Sequence, residues 1–266
     1  MSEFVIPKLE TLVDLVRTLA RAELVTRFAR IQQQFKLDGS ILTEADVAMQ
    51  QALQAAFLRE WPHIRFLGEE MPAAEQQQLL QNSHDALWVV DPLDGTSNFS
   101  VGIPYYSVSV ALILDGELQL ALVYDPERDE AFCAQRGRGA YLNDQQLNLT
   151  AMAPVEKLTI GLVDFKRLAA DLASKLVAQP PYKSQRSFGS VALDWCWIAA
   201  GRGDVYVHGK QNLWDYAAGH LILQEAGGVS STLTGEPVYN RSLTPRSAVA
   251  AINQTLFDRW FAFLQV

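Results

Sequence analysis

The sequence predicts a layered α/β protein, α+β in arrangement, built as two tightly joined halves at residues 1–153 and 154–266. Three observations predict it. Two helical patterns open the chain, a run of alternating strand patterns with a tight hairpin signal follows, and beyond residue 153 short apolar strands alternate with helices. At 266 residues and 49% hydrophobic, the chain is long and apolar enough to bury a large core.

In order, residues 9–31 place Leu9, Leu12, Val16, Leu19, Leu24, Phe28 and Ile31 at helical spacing, the stripe of a long amphipathic helix. A polar break at Asp38-Gly39-Ser40 precedes Thr43-Glu44-Ala45-Asp46, which has the form of a capping box and predicts a second helix. Residues 64–67, ending at Gly68, and 86–90, ending at Asp91, read as short strands. Alternation over 105–114 and 117–124, joined by Asp115-Gly116, reads as a hairpin because both turn residues tolerate positive φ. Strands at 131–134 and 140–142 extend that sheet, and the character shifts around 152–155. Then strands at 159–163, 204–207 and 248–252 alternate with helices at 167–178, 190–200, 215–225 and 255–264, the third of these closed by Gly227-Gly228.

Composition narrows the function. A net charge of −8 with no basic run argues against a nucleic-acid partner. Charges every few residues in the first helix argue against a signal peptide or membrane span, so a cytoplasmic location is expected. Cys133 and Cys196 form no metal or disulfide pattern, and His63, His84, His208 and His220 are too few for an imidazole-rich site. Any metal is expected to be held by oxygen.

The chemistry concentrates in Asp91-Pro92-Leu93-Asp94-Gly95-Thr96-Ser97-Asn98-Phe99. A carboxylate just past an apolar strand sits where open α/β sheets build sites. Gly95, Thr96 and Ser97 add backbone N–H groups and hydroxyls at a predicted helix start, a cradle for an anion. Alone, the segment is also an ordinary turn. Gly68-Glu69-Glu70 follows another strand, and Trp214-Asp215 opens a helix; alone, these acids and Asp46 read as solvated charges or caps.

Together the segments resemble the inositol monophosphatase family of magnesium-dependent, lithium-sensitive sugar-phosphate phosphatases over nearly the whole chain. The pattern D-P-[IL]-D-G-T-x-N-F is matched at every defined position of Asp91–Phe99, and Thr43 and Asp46 fit the family's Thr-x-x-Asp element. The resemblance implies the αβαβα sandwich shared with fructose bisphosphatases, a homodimer, and a small phosphate monoester as substrate. It implies one Mg²⁺ on Glu69, Asp91 and the Leu93 carbonyl, a second on Asp91, Asp94 and Asp215, and a third, weaker ion beside Glu69. Hard oxygen donors and retained waters suit that ion. Two carboxylates ~4 Å apart repel by ~4 kcal/mol at an effective dielectric of ~20, so such a cluster needs a cation.

For catalysis the resemblance implies a water oriented by Glu69 and by a Thr96–Asp46 pair, with phosphate oxygens on the N–H groups of Gly95 and Thr96. Asp94 and Asp215 would stand at the leaving oxygen, while Gly189, Ser190, Val191 and His208 would face the sugar or inositol ring. His208 departs from several members that carry glutamate there, which leaves the choice among inositol, histidinol, fructose-bisphosphate and dinucleotide phosphates open.

Three other readings compete. Leu93-Asp94-Gly95-Thr96 echoes the nucleophile motif of haloacid-dehalogenase-type enzymes, but the two aspartates are separated by two residues where that motif has one. Some bacterial members of the resembled family associate with the transcription machinery, which makes a regulatory binding role a second reading. A structural calcium site is the third, without an EF-hand loop.

Overall fold

The computed structural model describes residues 4–28, 34–35, 41–81, 86–151 and 160–265, with residues 34, 35 and 41 described by backbone alone. Helix α1 (Leu9–Ala20) buries Leu12, Val16 and Ala20 and runs into a π-helical turn, Arg21–Val25, that buries Leu24. The first predicted helix therefore changes pitch after Ala20; Ile31 and the Asp38-Gly39-Ser40 break lie outside the described residues. Two-residue strands β1 (Gln34–Phe35) and β2 (Ile41–Leu42) pair antiparallel. Helix α2 (Glu44–Glu60) starts at the predicted capping box: Asp46 Oδ2 accepts the Thr43 N–H at 2.7 Å, and Thr43 Oγ1 accepts the Ala45 N–H at 3.2 Å.

A seven-stranded sheet follows in sequence order: β3 (Arg65–Gly68), β4 (Leu87–Asp94), β5 (Ser107–Leu114), β6 (Glu117–Asp125), β7 (Glu130–Gln135), β8 (Gly139–Leu142) and β9 (Gln145–Leu147). β3 runs parallel to β4, and every later pair is antiparallel. The β5–β6 turn uses Asp115 at φ 51° and Gly116 at φ 80°, as its sequence predicts. Helices α3 (Ala73–Leu80) and α4 (Thr96–Val101) interrupt the strands on either side of β4.

The second sheet has the order β11-β10-β12-β14-β13. Its strands are β10 (Ile160–Asp164), β11 (Ser184–Arg186), β12 (Val205–Gln211), β13 (Val229–Ser231) and β14 (Arg246–Ala251), interleaved with helices α5 (Ala170–Ala178), α6 (Val191–Ala199), α7 (Leu213–Glu225) and α8 (Gln254–Leu264). β10, β11 and β12 are mutually parallel, and β14 turns antiparallel to β12. Helices α1 and α2 cover one face of the large sheet; α6 and α7 lie on its other face and contact the small sheet, which α8 covers from outside. The result is an αβαβα sandwich.

Strand alternation builds two cores. Trp88, Val90, Val110 and Leu112 point to the α1–α2 side, while Leu87, Val89, Ala111 and Ile113 join the α6–α7 side. The second cluster joins residues from both sequence halves, including Val89 and Leu221. The predicted boundary near 153 lies outside the described residues. Among the described residues no helix is long and apolar enough to cross a membrane.

Besides the two-residue β1 and β2, the sequence reading omits α3, β9, β11 and β13. Residues 73–80 include three successive glutamines and offer no apolar stripe, and the three strands are three-residue pieces at or beside a sheet edge. The strand predicted to end at Val90 continues to Asp94.

Candidate active site

That extension decides the site's geometry. On β4, Asp91 pairs with Ser109 and Asp94 with Ser107, so three steps on one strand match two on its partner. Residues three apart on a regular strand point to opposite faces. The extra residue is a β-bulge that resets the alternation, and both aspartates line one cavity. Pro92 suits it because proline has no N–H to give the ladder. Beyond the bulge, Gly95 turns at φ 95° beneath the Tyr105 carbonyl, which an added Cβ would meet at 3.0 Å, and α4 begins.

The cavity, about 420 Å³, also takes in Glu69, Leu93, Gly95, Thr96 and Asp215. Glu69 directly follows β3, where its N–H donates to the Val90 carbonyl at 3.0 Å. Its loop is pinned by glutamines: Gln76 Nε2 donates to the Gly68 and Glu69 carbonyls at 2.8 and 3.0 Å, and Gln50 Oε1 accepts the Glu70 N–H at 2.9 Å. Asp215 stands in the first turn of α7, where Oδ2 accepts the Asn212 N–H at 2.7 Å; Ser109 Oγ donates to the Trp214 carbonyl at 3.0 Å and ties that turn to β5. Four acids from three distant segments thus meet at the ends of β3, β4 and the start of α7.

Their electrostatics are costly without a counter-charge. Burial, then repulsion from Glu69, Asp94 and Asp215, lifts the Asp91 carboxyl well above the carboxylate range. Burial and then Glu69 and Asp94 do the same to Asp215. Asp94 is pushed up by burial to about 6, against the pull of hydrogen bonds from Ser190 Oγ and the Ala192 and Val191 N–H groups. Among the described residues no three Asp, Glu, His or Cys side chains are drawn together closely enough to hold a metal as they stand. The donors nonetheless fit Mg²⁺ in kind: carboxylates and the Leu93 carbonyl are hard oxygen ligands, and an ion that keeps several waters does not need a closed protein cage.

Asp46 lies behind this cavity. Thr96 Oγ1 reaches its Oδ1 at 3.0 Å, Thr43 Oγ1 donates to its Oδ2 at 2.6 Å, and burial raises its pKa. Gly189, Ser190 and Val191 line the cavity, but Ser190 Oγ and the Val191 N–H are engaged by Asp94. Gly189, at φ 89°, allows this approach; an added Cβ there would meet Asn98 Nδ2 at 3.2 Å.

His208 is neither a surface nor a loop residue: it is 3% exposed, on β12, facing the cavity. Asp164, Lys166, Arg167, Asp194, Lys210 and Asn212 also line the cavity, and the sequence reading misses all six. Lys166, Arg167 and Lys210 are exposed. The signal that could have found Asp164, Lys166 and Arg167 is their position at and just past the last residue of β10, the carboxyl end of a parallel strand.

Comparison with known proteins identifies the family. A family model, the inositol monophosphatase family, matches residues 8–262. Nus factor SuhB of Pseudomonas aeruginosa is 38% identical over 202 residues, 73% of each chain. An inositol-1-monophosphatase of Rhizobium meliloti is 33% identical over 219 residues, 77% of each chain. The structure of the Thermotoga maritima IMPase superposes with a TM-score of 0.82 at 26% identity, covering 96% of both chains. With its sandwich, its bulged Asp91–Asp94 strand and its acids gathered from three segments, this chain belongs to the inositol monophosphatase family.

Proposed function

We propose that the protein hydrolyses a phosphate monoester of a small polyol or sugar with Mg²⁺. The observation that carries this reading is the gathering of Asp91, Asp94 and Asp215 with Glu69 around one cavity, the three aspartate carboxyls lifted by burial first and then by neighbouring acid charge. Glu69, Asp91 and the Leu93 carbonyl would hold one ion, and Asp91, Asp94 and Asp215 would hold a second. Bound there, Mg²⁺ supplies an acidified water and offsets charge on the phosphate and the departing oxygen.

The chain's own residues do the rest. Thr96, through its hydrogen bond to Asp46, orients the attacking water with Glu69 and takes up its proton's hydrogen bond. The N–H groups of Gly95 and Thr96 hold phosphate oxygens, so the protein contributes positioning and fixed dipoles. No side chain forms a covalent phosphoenzyme, which separates this reading from the haloacid-dehalogenase scheme. Lys166, Arg167 and Lys210 on the rim draw the dianionic ester inward.

The test is a panel of phosphate monoesters, assayed with Mg²⁺ and with EDTA. Turnover that disappears with EDTA and returns with Mg²⁺ supports the reading; turnover that survives chelation removes the metals from it. The name Nus factor belongs to the Pseudomonas relative. For this chain a binding role is separated by Asp91→Asn: a phenotype lost with hydrolysis belongs to the enzyme, and one retained belongs to binding.

A further inference from the structure

Asp164 and His208 face each other across β10 and β12, as paired residues of two parallel strands. His208 Nδ1 accepts the Lys210 N–H at 3.2 Å, and Nε2 lies 3.2 Å from Asp164 Oδ2. Accepting at Nδ1 leaves the ring proton on Nε2, so the imidazole donates to Asp164 and both nitrogens are spent inside the protein. The side chain of His208 is 4% exposed and that of Asp164 is 27% exposed. From this pair, the group that meets the contents of the cavity is the carboxylate.

The surroundings fix that carboxylate. A Cβ on Gly209 would strike the Arg167 backbone carbonyl, so glycine lets the Phe165–Arg167 turn lie directly on β12. Burial alone would raise the Asp164 carboxyl, yet the hydrogen bond from His208, with the Arg167 N–H and its charge, holds it below the ordinary carboxylate value. An ionised carboxylate is an acceptor only, and in a cavity that also binds an ester its natural complement is a hydroxyl.

We propose that Asp164, held in place by His208, binds the substrate by accepting hydrogen bonds from hydroxyls of the alcohol being released, and so restricts the leaving group to polyols. This rests on the phosphatase reading above. His208 is a positioning residue: it orients Asp164 and has no nitrogen left for the substrate. Deprived of a hydroxyl, a bound ester would desolvate the acceptor sites that His208 and the Arg167 N–H leave open on the carboxylate and give them no partner, which is how a site built for hydrogen bonding rejects an analogue.

The experiment compares kcat/KM, with Mg²⁺, for myo-inositol 1-phosphate and for cyclohexyl phosphate, the same ring without hydroxyls. Wild type is expected to prefer the inositol ester, and Asp164→Ala to lower kcat/KM for it by about 10- to 100-fold while changing that for the cyclohexyl ester by less than about threefold. Asp164→Asn, which keeps the shape and loses the charge, gives a smaller loss with the same ester dependence and guards against a folding defect. His208→Asn shows that dependence too, and combining it with Asp164→Ala costs no more than Asp164→Ala alone. Equal losses on both esters, or a wild type with no preference for the inositol ester, would overturn the proposal. A wild type inert towards both esters and towards the rest of the phosphate monoester panel overturns the phosphatase reading itself, while one inert towards both but active on other esters of the panel overturns the proposal alone.

Discussion

Thr96 Oγ1 lies 3.0 Å from Asp46 Oδ1 and 3.0 Å from the Leu93 carbonyl oxygen. The hydroxyl has one proton and two acceptors competing for it. Occupation of the Leu93 carbonyl by a cation would send that proton to Asp46 and leave the Thr96 oxygen to accept from water. Thr96→Val is therefore expected to lower kcat by about 100-fold with KM changed less than about threefold, and Thr96→Ser to restore most of the loss. A valine variant with wild-type kcat would remove this hydroxyl from the reaction.

Asp91→Asn separates function from stability. The asparagine side chain still accepts the Leu93 N–H, a bond of 3.0 Å in the native chain, while a buried charge disappears. Turnover is expected to fall by about 1,000-fold, and the melting temperature of the metal-free protein to rise. A fall in both would mean that Asp91 is chiefly structural.

The pH dependence has a definite sign. The Asp94 carboxyl stands at about 6 in the folded chain against an ordinary 3.8, and Asp91 and Asp215 are also raised, so the native state binds more protons than the unfolded chain between those values. Stability of the chelated protein is therefore lost as pH rises through about 6 and recovered as pH falls towards 4. Calorimetry in EDTA should show a higher melting temperature near pH 5 than near pH 7.5, by about 5 °C. Saturating Mg²⁺, which binds the ionised acids, should shrink or reverse that difference; a chelated protein most stable at pH 7.5 would contradict the assignment of repelling acids.

Among the described residues, Lys166, Arg167 and Lys210 take part in no ion pair within 4.0 Å, although all three line the cavity. Their effect on a dianionic ester is long-ranged and screened by salt. Raising KCl from about 0.05 to 0.5 M should lower kcat/KM several-fold, and Lys210→Gln should flatten that slope. A slope unchanged by the substitution would show that Lys210 does not steer the substrate.

Local chemistry explains what the sequence disclosed. The Thr43–Asp46 cap, the Asp115-Gly116 turn and the Gly227-Gly228 helix end are each decided by residues within a few positions, and all three appear where expected. The bulge does not, because an apolar-strand pattern stops at the first charged residue, and only pairing with Ser107 and Ser109 shows that β4 continues past Asp91. The acids were legible as a set through their family-like spacing. The Asp164–His208 pair was not, since it forms across two strands separated in the chain by α5, β11 and α6 and has no local signature. Glu69 was legible, but the Gln50 and Gln76 side chains that fix its loop come from α2 and α3, and α3 lacks apolar periodicity.

The most direct test is an anomalous difference map from crystals of the protein soaked in Mn²⁺, a stand-in for Mg²⁺ that scatters strongly enough to be located. The account predicts one peak bonded to Glu69, Asp91 and the Leu93 oxygen and a second joined to Asp91, Asp94 and Asp215, each at about 2.1 Å. Mn²⁺ bound only elsewhere, with these four carboxylates unligated at saturating metal, would contradict it.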